Sequence, residues 1–134
     1  MTPSLEEADR FLRLARADFD AFALLAASPQ IRRAIAFFHA QQAVEKCLKA
    51  ILIVRGVDLR RTHDLIELAG DIEEAGVALP CSAEVLLSLN PFAVELRYDD
   101  QVVPLLTAEE ATRIVTQVLA WADAKVGEIA NTSH

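Results

Sequence analysis

QIRRAIAFFHAQQAVEKCLKAILIVRG, residues 30–56, is the stretch whose reading decides the fold. Phe37, Ala40, Val44, Cys47, Leu48 and Ile51 recur at helical spacing, so a helix from about Gln30 to Arg55 places them all on one side. The apolar arc is wide, and so broad a face marks a helix that lies centrally in a bundle. Gly56 stands where a helix C-cap takes left-handed backbone. Gln41 falls on the apolar arc and is therefore expected to be buried and hydrogen-bonded. The other side carries His39, Gln42, Glu45, Lys46 and Lys49. Glu45 and Lys49 form an i,i+4 pair in the favourable order, worth only about 0.3 kcal/mol on an exposed face.

Working outward from this helix, Ser28-Pro29 reads as its start, with Ser as N-cap and Pro at the first helical position. Upstream, Ser4 and Glu7 have the capping-box spacing. Behind them Ala8, Leu12, Ala15, Phe19, Phe22 and Ala26 make one apolar stripe on a helix of roughly six turns. Downstream, a basic link runs from Arg55 to Arg61. Thr62 then reads as the N-cap of a third helix with Asp64 in its first turn. That helix carries Leu65, Ile66, Leu68, Ala69 and Ile72 and ends near Gly76. Pro80 to Ser82 restart the chain into a fourth helix with Val85, Leu86 and Leu89. Pro91 predicts a kink near Asn90, after which the segment resumes through Phe92, Val94 and Leu96 to Arg97 and Tyr98. Residues 99–106 read as a loop. Thr107 and Glu110 form a second capping box, opening a last helix with Ala111, Ile114, Val115, Val118, Leu119, Ala122, Val126 and Ile129. Five helices with short connections predict one all-α domain over residues 1–134, an antiparallel up-and-down bundle.

Composition agrees with that reading. Of 134 residues, 53% are apolar, and with only 4 Gly and 5 Pro there is little material for a turn-rich β fold. The formal net charge of −7 repels nucleic acid at long range, so any RNA or phosphate contact must use a local basic patch. Cys47 and Cys81 lack metal-ligand spacing, and Cys47 reads as a buried free thiol. No metal or cofactor is expected. Acidic and basic residues interrupt the start of the chain from Glu6 onward, and runs such as Ile51 to Val54 are too short for a membrane span, so a cytoplasmic protein is expected. The chain has no phosphate-binding glycine loop, no G-x-S-x-G elbow, no H-E-x-x-H helix and no Glu-x-x-His pair of the di-iron kind.

The polar face of the central helix is the candidate site, and it has two readings. In one, Gln41 and Glu45 tie neighbouring helices together while Lys46 and Lys49 are solvated. In the other, Lys46 and Lys49 form an anion site with Arg55, Arg60, Arg61 and His63.

Phe38-His39-Ala40-Gln41-Gln42-Ala43-Val44-Glu45-Lys46, then Leu48-Lys49-Ala50, then Arg61-Thr62-His63-Asp64-Leu65, and finally Leu89-Asn90 with Arg97-Tyr98, resemble the HEPN domain family. The resemblance covers nearly the whole chain and is densest over residues 38–68. It implies a bundle of four long helices plus a short one, usually dimeric, in a family associated with nucleotide or RNA binding. Many bacterial members pair with a minimal nucleotidyltransferase as toxin and antitoxin. Active members are metal-independent ribonucleases with a late Arg-x4–6-His motif, in which Arg stabilises phosphate charge and His transfers a proton.

This sequence departs from that motif. With four to six residues intervening after Arg97 stand Val102, Val103 and Pro104, and only the terminal His134 follows His63. Arg32 and Arg33 do precede His39 at the right interval, but in the wrong helix for the family pattern. The expected function is a nucleotide- or RNA-binding module, with Lys46, Lys49, Arg61, His63, Arg97 and Tyr98 as candidate phosphate or nucleotide contacts. The expected partners are a second copy of the chain, from apolar surface on the first and last helices, and a small nucleotidyltransferase. The alternative is a metal-independent endoribonuclease toxin, with Arg32 or Arg97 acting beside His39 or His63. A non-catalytic structural dimer is the third reading.

Overall fold

The helix at the centre of the sequence reading is also the centre of the molecule. In a computed structural model, which describes residues 2–90 and 106–132, the chain is all-helical. Among the described residues the helices are α1 (Pro3–Ala26), α2 (Arg33–Val54), α3 (Leu65–Glu74), α4 (Ala83–Leu89) and α5 (Ala108–Thr132), with no strand. α2 contacts each of the other four. Its buried side includes Phe37, Val44, Cys47, Leu48, Ile51 and Leu52, and Gln41 lies fully buried among them. Three of the described helices are long and two are short. The stretch that was to carry the fourth helix past Asn90, with Arg97 and Tyr98, lies outside the described residues, as does the loop expected over 99–106 except for Leu106.

The other helices bring their apolar faces to α2. α1 buries Ala8, Leu12, Ala15 and Phe22, while Phe19 is half-buried and Ala26 has left the core. α3 contributes Leu65, Leu68, Ala69 and Ile72, α4 Leu86 and Leu89, and α5 Ala111, Val115, Val118, Leu119 and Ala122. Contacts between elements have a consistent order. Phe22 of α1 meets Phe37 of α2 edge-on at 5.3 Å, and Asp18 pairs with His39 and Lys46 further along it. Arg16 of α1 grips both carboxylate oxygens of Asp123 near the far end of α5.

Helix ends follow the expected chemistry, though three N-caps shift. Thr2, not Ser4, caps α1: its hydroxyl accepts from Leu5 N at 3.2 Å, and Pro3 takes the first helical position, where a missing N–H costs nothing. Glu7 is then drawn to Arg10 instead of closing a capping box. Ser28 does not cap α2. Its carbonyl accepts from Ile31 N at 3.2 Å, closing a separate turn, and α2 begins at Arg33 after the extended Arg32, which makes no side-chain cap. Asp64, not Thr62, caps α3, accepting from Ile66 N at 2.9 Å. A carboxylate complements the positive end of the helix better than a hydroxyl does. Thr62 instead supports the cap, accepting from Asp64 N at 3.0 Å and donating to Glu67 at 2.6 Å. The Thr107–Glu110 box forms as expected, with reciprocal bonds of 3.1 and 3.0 Å. Gly56 and Gly76 close α2 and α3 with φ of 74° and 84°. In each case the next residue, Val57 or Val77, reaches back to the carbonyl five residues earlier. No helix among the described residues is long and apolar enough to cross a membrane.

Candidate functional site

The polar side of α2 is built from residues 39, 42, 46 and 49, which share one helix face, with Gln41 and Glu45 beside them on the buried flank. α1 borders this face on one side and the chain leading into α3 on the other. Two carboxylates organise it, and each is held between a lysine and a histidine.

The first is Asp18 of α1, whose side chain is only 13% exposed. One of its oxygens lies 2.9 Å from His39 Nδ1, and the other accepts from Lys46 Nζ. Asp18 therefore fastens α1 to α2 at two points seven residues, or about two helical turns, apart.

The second is Glu45 of α2, 4% exposed. A carboxylate at that depth is tolerated only when hydrogen bonds replace its hydration. Glu45 has them: Lys49 Nζ donates at 2.9 Å, Gln41 Nε2 at 3.1 Å and Gln42 Nε2 at 3.4 Å, and His63 Nδ1 stands 3.1 Å from both oxygens. Gln41 also donates to the His63 carbonyl at 3.1 Å and accepts from Gln42 at 2.8 Å. The buried amide thus binds α2 to the backbone that enters α3. The Glu45–Lys49 pair, expected on an exposed face, is instead at the edge of the core, because α3 folds over it.

An ionised carboxylate can only accept, so the imidazole nitrogen facing it must carry the proton. The tautomer that makes this hydrogen bond to an ionised carboxylate is therefore Nδ1–H, which turns Nε2 of each ring away from the carboxylate. His39 is 31% exposed and His63 67% exposed, so both rings reach solvent. Phe38 stands edge-on to the His39 ring at 5.7 Å.

The remaining sequence candidates divide between framework and surface. Arg55 donates to the Ala75 carbonyl at 2.7 Å and joins the C-terminal ends of α2 and α3. Arg60 pairs with Asp71 at 2.9 Å and Glu67 at 3.2 Å, and these carboxylates hold its pKa above the ordinary arginine value. Arg61 is exposed two residues from His63. Arg32 stands at the N-cap of α2, two turns before His39. Arg33 lies over the Phe37 ring at 4.2 Å and donates to the Leu106 carbonyl. Arg97 and Tyr98 lie outside the described residues. Lys46, Lys49, His39 and His63 are thus gathered on one polar seam, and the charges of both lysines are balanced by carboxylates within it.

Sequence reading missed Asp18 and Asn90. Asp18 lies three residues after Ala15 and four before Phe22, at the edge of the apolar stripe of α1, and a lone acid in that register is the available signal. Asn90 accepts from Leu65 N and donates to Asp64, both at 2.9 Å, so it completes the cap of α3 from the end of α4. The thiol of Cys47 is buried, and that burial pushes its pKa up to about 12, which leaves it unreactive. An open concavity of about 710 Å³ lies away from the seam, between the end of α1 and the start of α5. Phe22, Ala26, Ala108 and Thr112 line it, and none of its lining residues is a histidine.

A family model described as the HEPN domain matches residues 3–125, nearly the whole chain. No curated protein and no solved structure matches it.

Proposed function

The chain belongs to the HEPN domain family, and from that premise we propose that it is a nucleotide- or RNA-binding module acting as the toxin-side or binding subunit of a pair with a small nucleotidyltransferase in the cytoplasm. The observation that carries this reading is the convergence of the sequence blocks around residues 38–50 and 61–65 on one seam of α2, with Arg61 and the exposed His63 ring at its open edge. Because Lys46 and Lys49 are already paired, Arg61 is the residue that gives the seam its electrostatic reach. In fluorescence anisotropy with single-stranded RNA across a salt series, Arg61→Ala should weaken binding several-fold and lower the salt slope by about 1. Binding unchanged by that substitution would remove Arg61, and with it this edge of the seam, from the contact.

In the same reading the helices form an antiparallel up-and-down bundle, which the order of the contacts supports: Phe22 with Phe37, Asp18 with Lys46, Arg16 with Asp123. The protein also pairs with a second copy of itself. Of the apolar residues on the first and last helices, Phe22, Val118 and Ala122 are consumed by the core, while Leu24 is exposed. Leu14, Leu24, Ile31 and Ile35 are exposed apolar residues toward the α1–α2 edge, while Leu59 and Leu87 are exposed elsewhere. Leu14, Ala17, Ala21 and Leu24 are spaced symmetrically along α1, so two copies meeting antiparallel about a two-fold axis place like residues together. Analytical ultracentrifugation should show a dimer that persists in high salt and dissociates with Leu24→Asp. A strictly monomeric species at tens of micromolar rejects the pairing.

A second reading, a metal-independent endoribonuclease, is favoured by one specific observation: each histidine has its Nδ1 on a carboxylate. In it Arg32 or Arg97 stabilises phosphate charge beside His39 or His63. Cleavage of RNA with a chelator present is its test.

A further inference from the structure

Two hollows that share a wall lie at the end of the bundle where α1 turns into α2, and no residue of the polar seam lines either of them. The larger is the open concavity of about 710 Å³ between the end of α1 and the start of α5, floored by Phe22. The smaller, about 200 Å³, is floored by Phe37 and bounded by Ile31 and Ala36. Ala26 and Ala108 line both, so the edge-on pair of Phe22 and Phe37 underlies one continuous groove. The α1 wall of the groove is small and exposed at Ala23, Ala26 and Ala27. Two large apolar side chains stand beside it in solvent, Leu24 at 75% exposed and Ile31 at 37%. The rim is charged and unsatisfied. Glu109 and Arg113 are one turn apart on α5, in the order that favours an ion pair, yet neither makes a hydrogen bond or ion pair among the described residues. Arg33, the other cation in the lining, is spent on the Phe37 ring and the Leu106 carbonyl.

We propose that this groove docks an amphipathic helix of a protein partner. One large apolar side chain of that helix enters the smaller hollow, and an acid and a base four residues apart on its flank meet Arg113 and Glu109. Three features select this occupant. The alanine walls let a second helix approach closely, since the distance between helix axes is set by the side chains at the contact. A hollow with an aromatic floor beside a longer trough is the shape that takes an apolar anchor from a helix laid in a groove. The rim presents an anion and a cation about 6 Å apart along the helix axis, and a helix carrying the opposite charges at the same spacing complements both. A phosphate-bearing ligand would gain Arg113 but meet Glu109 in the same trough. An added strand has no edge to pair with, because no strand occurs among the described residues. The inference concerns a different face from Arg61 and does not rest on RNA binding there.

The test uses the full-length protein and a displayed library of helical peptides, with Leu, Ile or Phe at the anchor positions and random polar residues elsewhere. Panning should enrich peptides with an acid and a base four residues apart. Their affinities are then measured by fluorescence anisotropy. Ala26→Arg puts a long charged side chain on the shared wall and should weaken an enriched peptide at least about tenfold. Ala23→Arg, on the same exposed wall, replaces it if Ala26→Arg lowers the melting temperature. Arg113→Glu should weaken binding about fivefold or more, and exchanging the acid of the peptide for lysine should restore it. RNA affinity of the Ala26→Arg protein should equal that of the unsubstituted protein, which keeps this inference separate from the reading of the seam. Enriched peptides that bind Ala26→Arg and Ala23→Arg as tightly as the unsubstituted protein sit elsewhere and overturn the inference. Enrichment no greater than that on Ala26→Arg protein overturns it as well. Peptides that respond to Ala26→Arg but bind Arg113→Glu at full affinity show an occupant that the rim charges do not select, which overturns the partner assigned to the groove.

Discussion

Glu45→Ala is expected to destabilise the fold by about 3–5 kcal/mol, the loss typical of breaking a buried ion pair from one side. Lowering of the melting temperature should be on the order of 10–20 °C for a chain of this size. Most of the loss does not come from the attraction between Glu45 and Lys49, which at the edge of the core is largely offset by the cost of desolvating both charges. It comes from the donors left behind. Gln41 is fully buried and loses one of its bonds, Gln42 loses another, and the 16%-exposed Lys49 keeps its charge with no carboxylate near it. Each such orphan costs about 1–3 kcal/mol. Two comparisons separate this account from a simple count of lost contacts. His63→Ala, which removes a ring that is 67% exposed, should cost under about 1 kcal/mol. Replacing Gln41, Glu45 and Lys49 together by Leu, Leu and Met should recover part of the Glu45→Ala loss, because the buried Gln41 amide and the Lys49 charge leave together with their partner, and only the Gln42 amide and the His63 groups, nearer solvent, lose bonds. Denaturant melts of the three variants give the answer, and a Glu45→Ala loss below about 1 kcal/mol would sink the account of a buried, donor-saturated carboxylate.

What the sequence could and could not say about this site has physical reasons. The central place of α2 was legible because the breadth of an apolar arc is a property of one segment. Gln41 was legible as buried for the same reason: it lies on that arc. The depth of Glu45 was not, since an i,i+4 pair with Lys49 has the same spacing whether or not another helix covers it, and α3 arrives from 20 residues further on. Asp18 was hidden more completely, because its partners His39 and Lys46 are 21 and 28 residues away and no local pattern links them. The N-caps of α1 and α3 were placed within two residues but on the wrong side chains. Thr2 and Ser4, or Thr62 and Asp64, are competing hydroxyls and acids in one short stretch, and backbone geometry chooses among them. The glycine stops at Gly56 and Gly76 were read correctly because only glycine takes that backbone without strain.

The second large effect is expected at Phe37, which is 1% exposed and sits where α1, α2 and the start of α5 converge. Phe37→Ala should cost about 3–5 kcal/mol, from the lost transfer of a buried ring together with the cavity it leaves. The position is more than a filled volume. On one side Phe22 meets the ring edge-on at 5.3 Å, a geometry worth about 0.5–1.5 kcal/mol beyond the area buried. On the other side the Arg33 guanidinium lies 4.2 Å above the ring centre and at the same time donates to the Leu106 carbonyl, where the chain returns to begin α5. The ring therefore holds the side chain that holds the return. Phe37→Leu keeps most of the volume but gives Arg33 no π face, and should cost about 1–1.5 kcal/mol. Phe38→Ala, one residue on and only half-buried, should cost distinctly less than Phe37→Ala, which tests burial against mere aromaticity. A double-mutant cycle of Phe37→Leu with Arg33→Ala isolates the ring–guanidinium contact and should show coupling of about 0.5–2 kcal/mol. If the two substitutions add without coupling, Arg33 gains nothing from the ring, and its hold on Leu106 depends on the hydrogen bond alone.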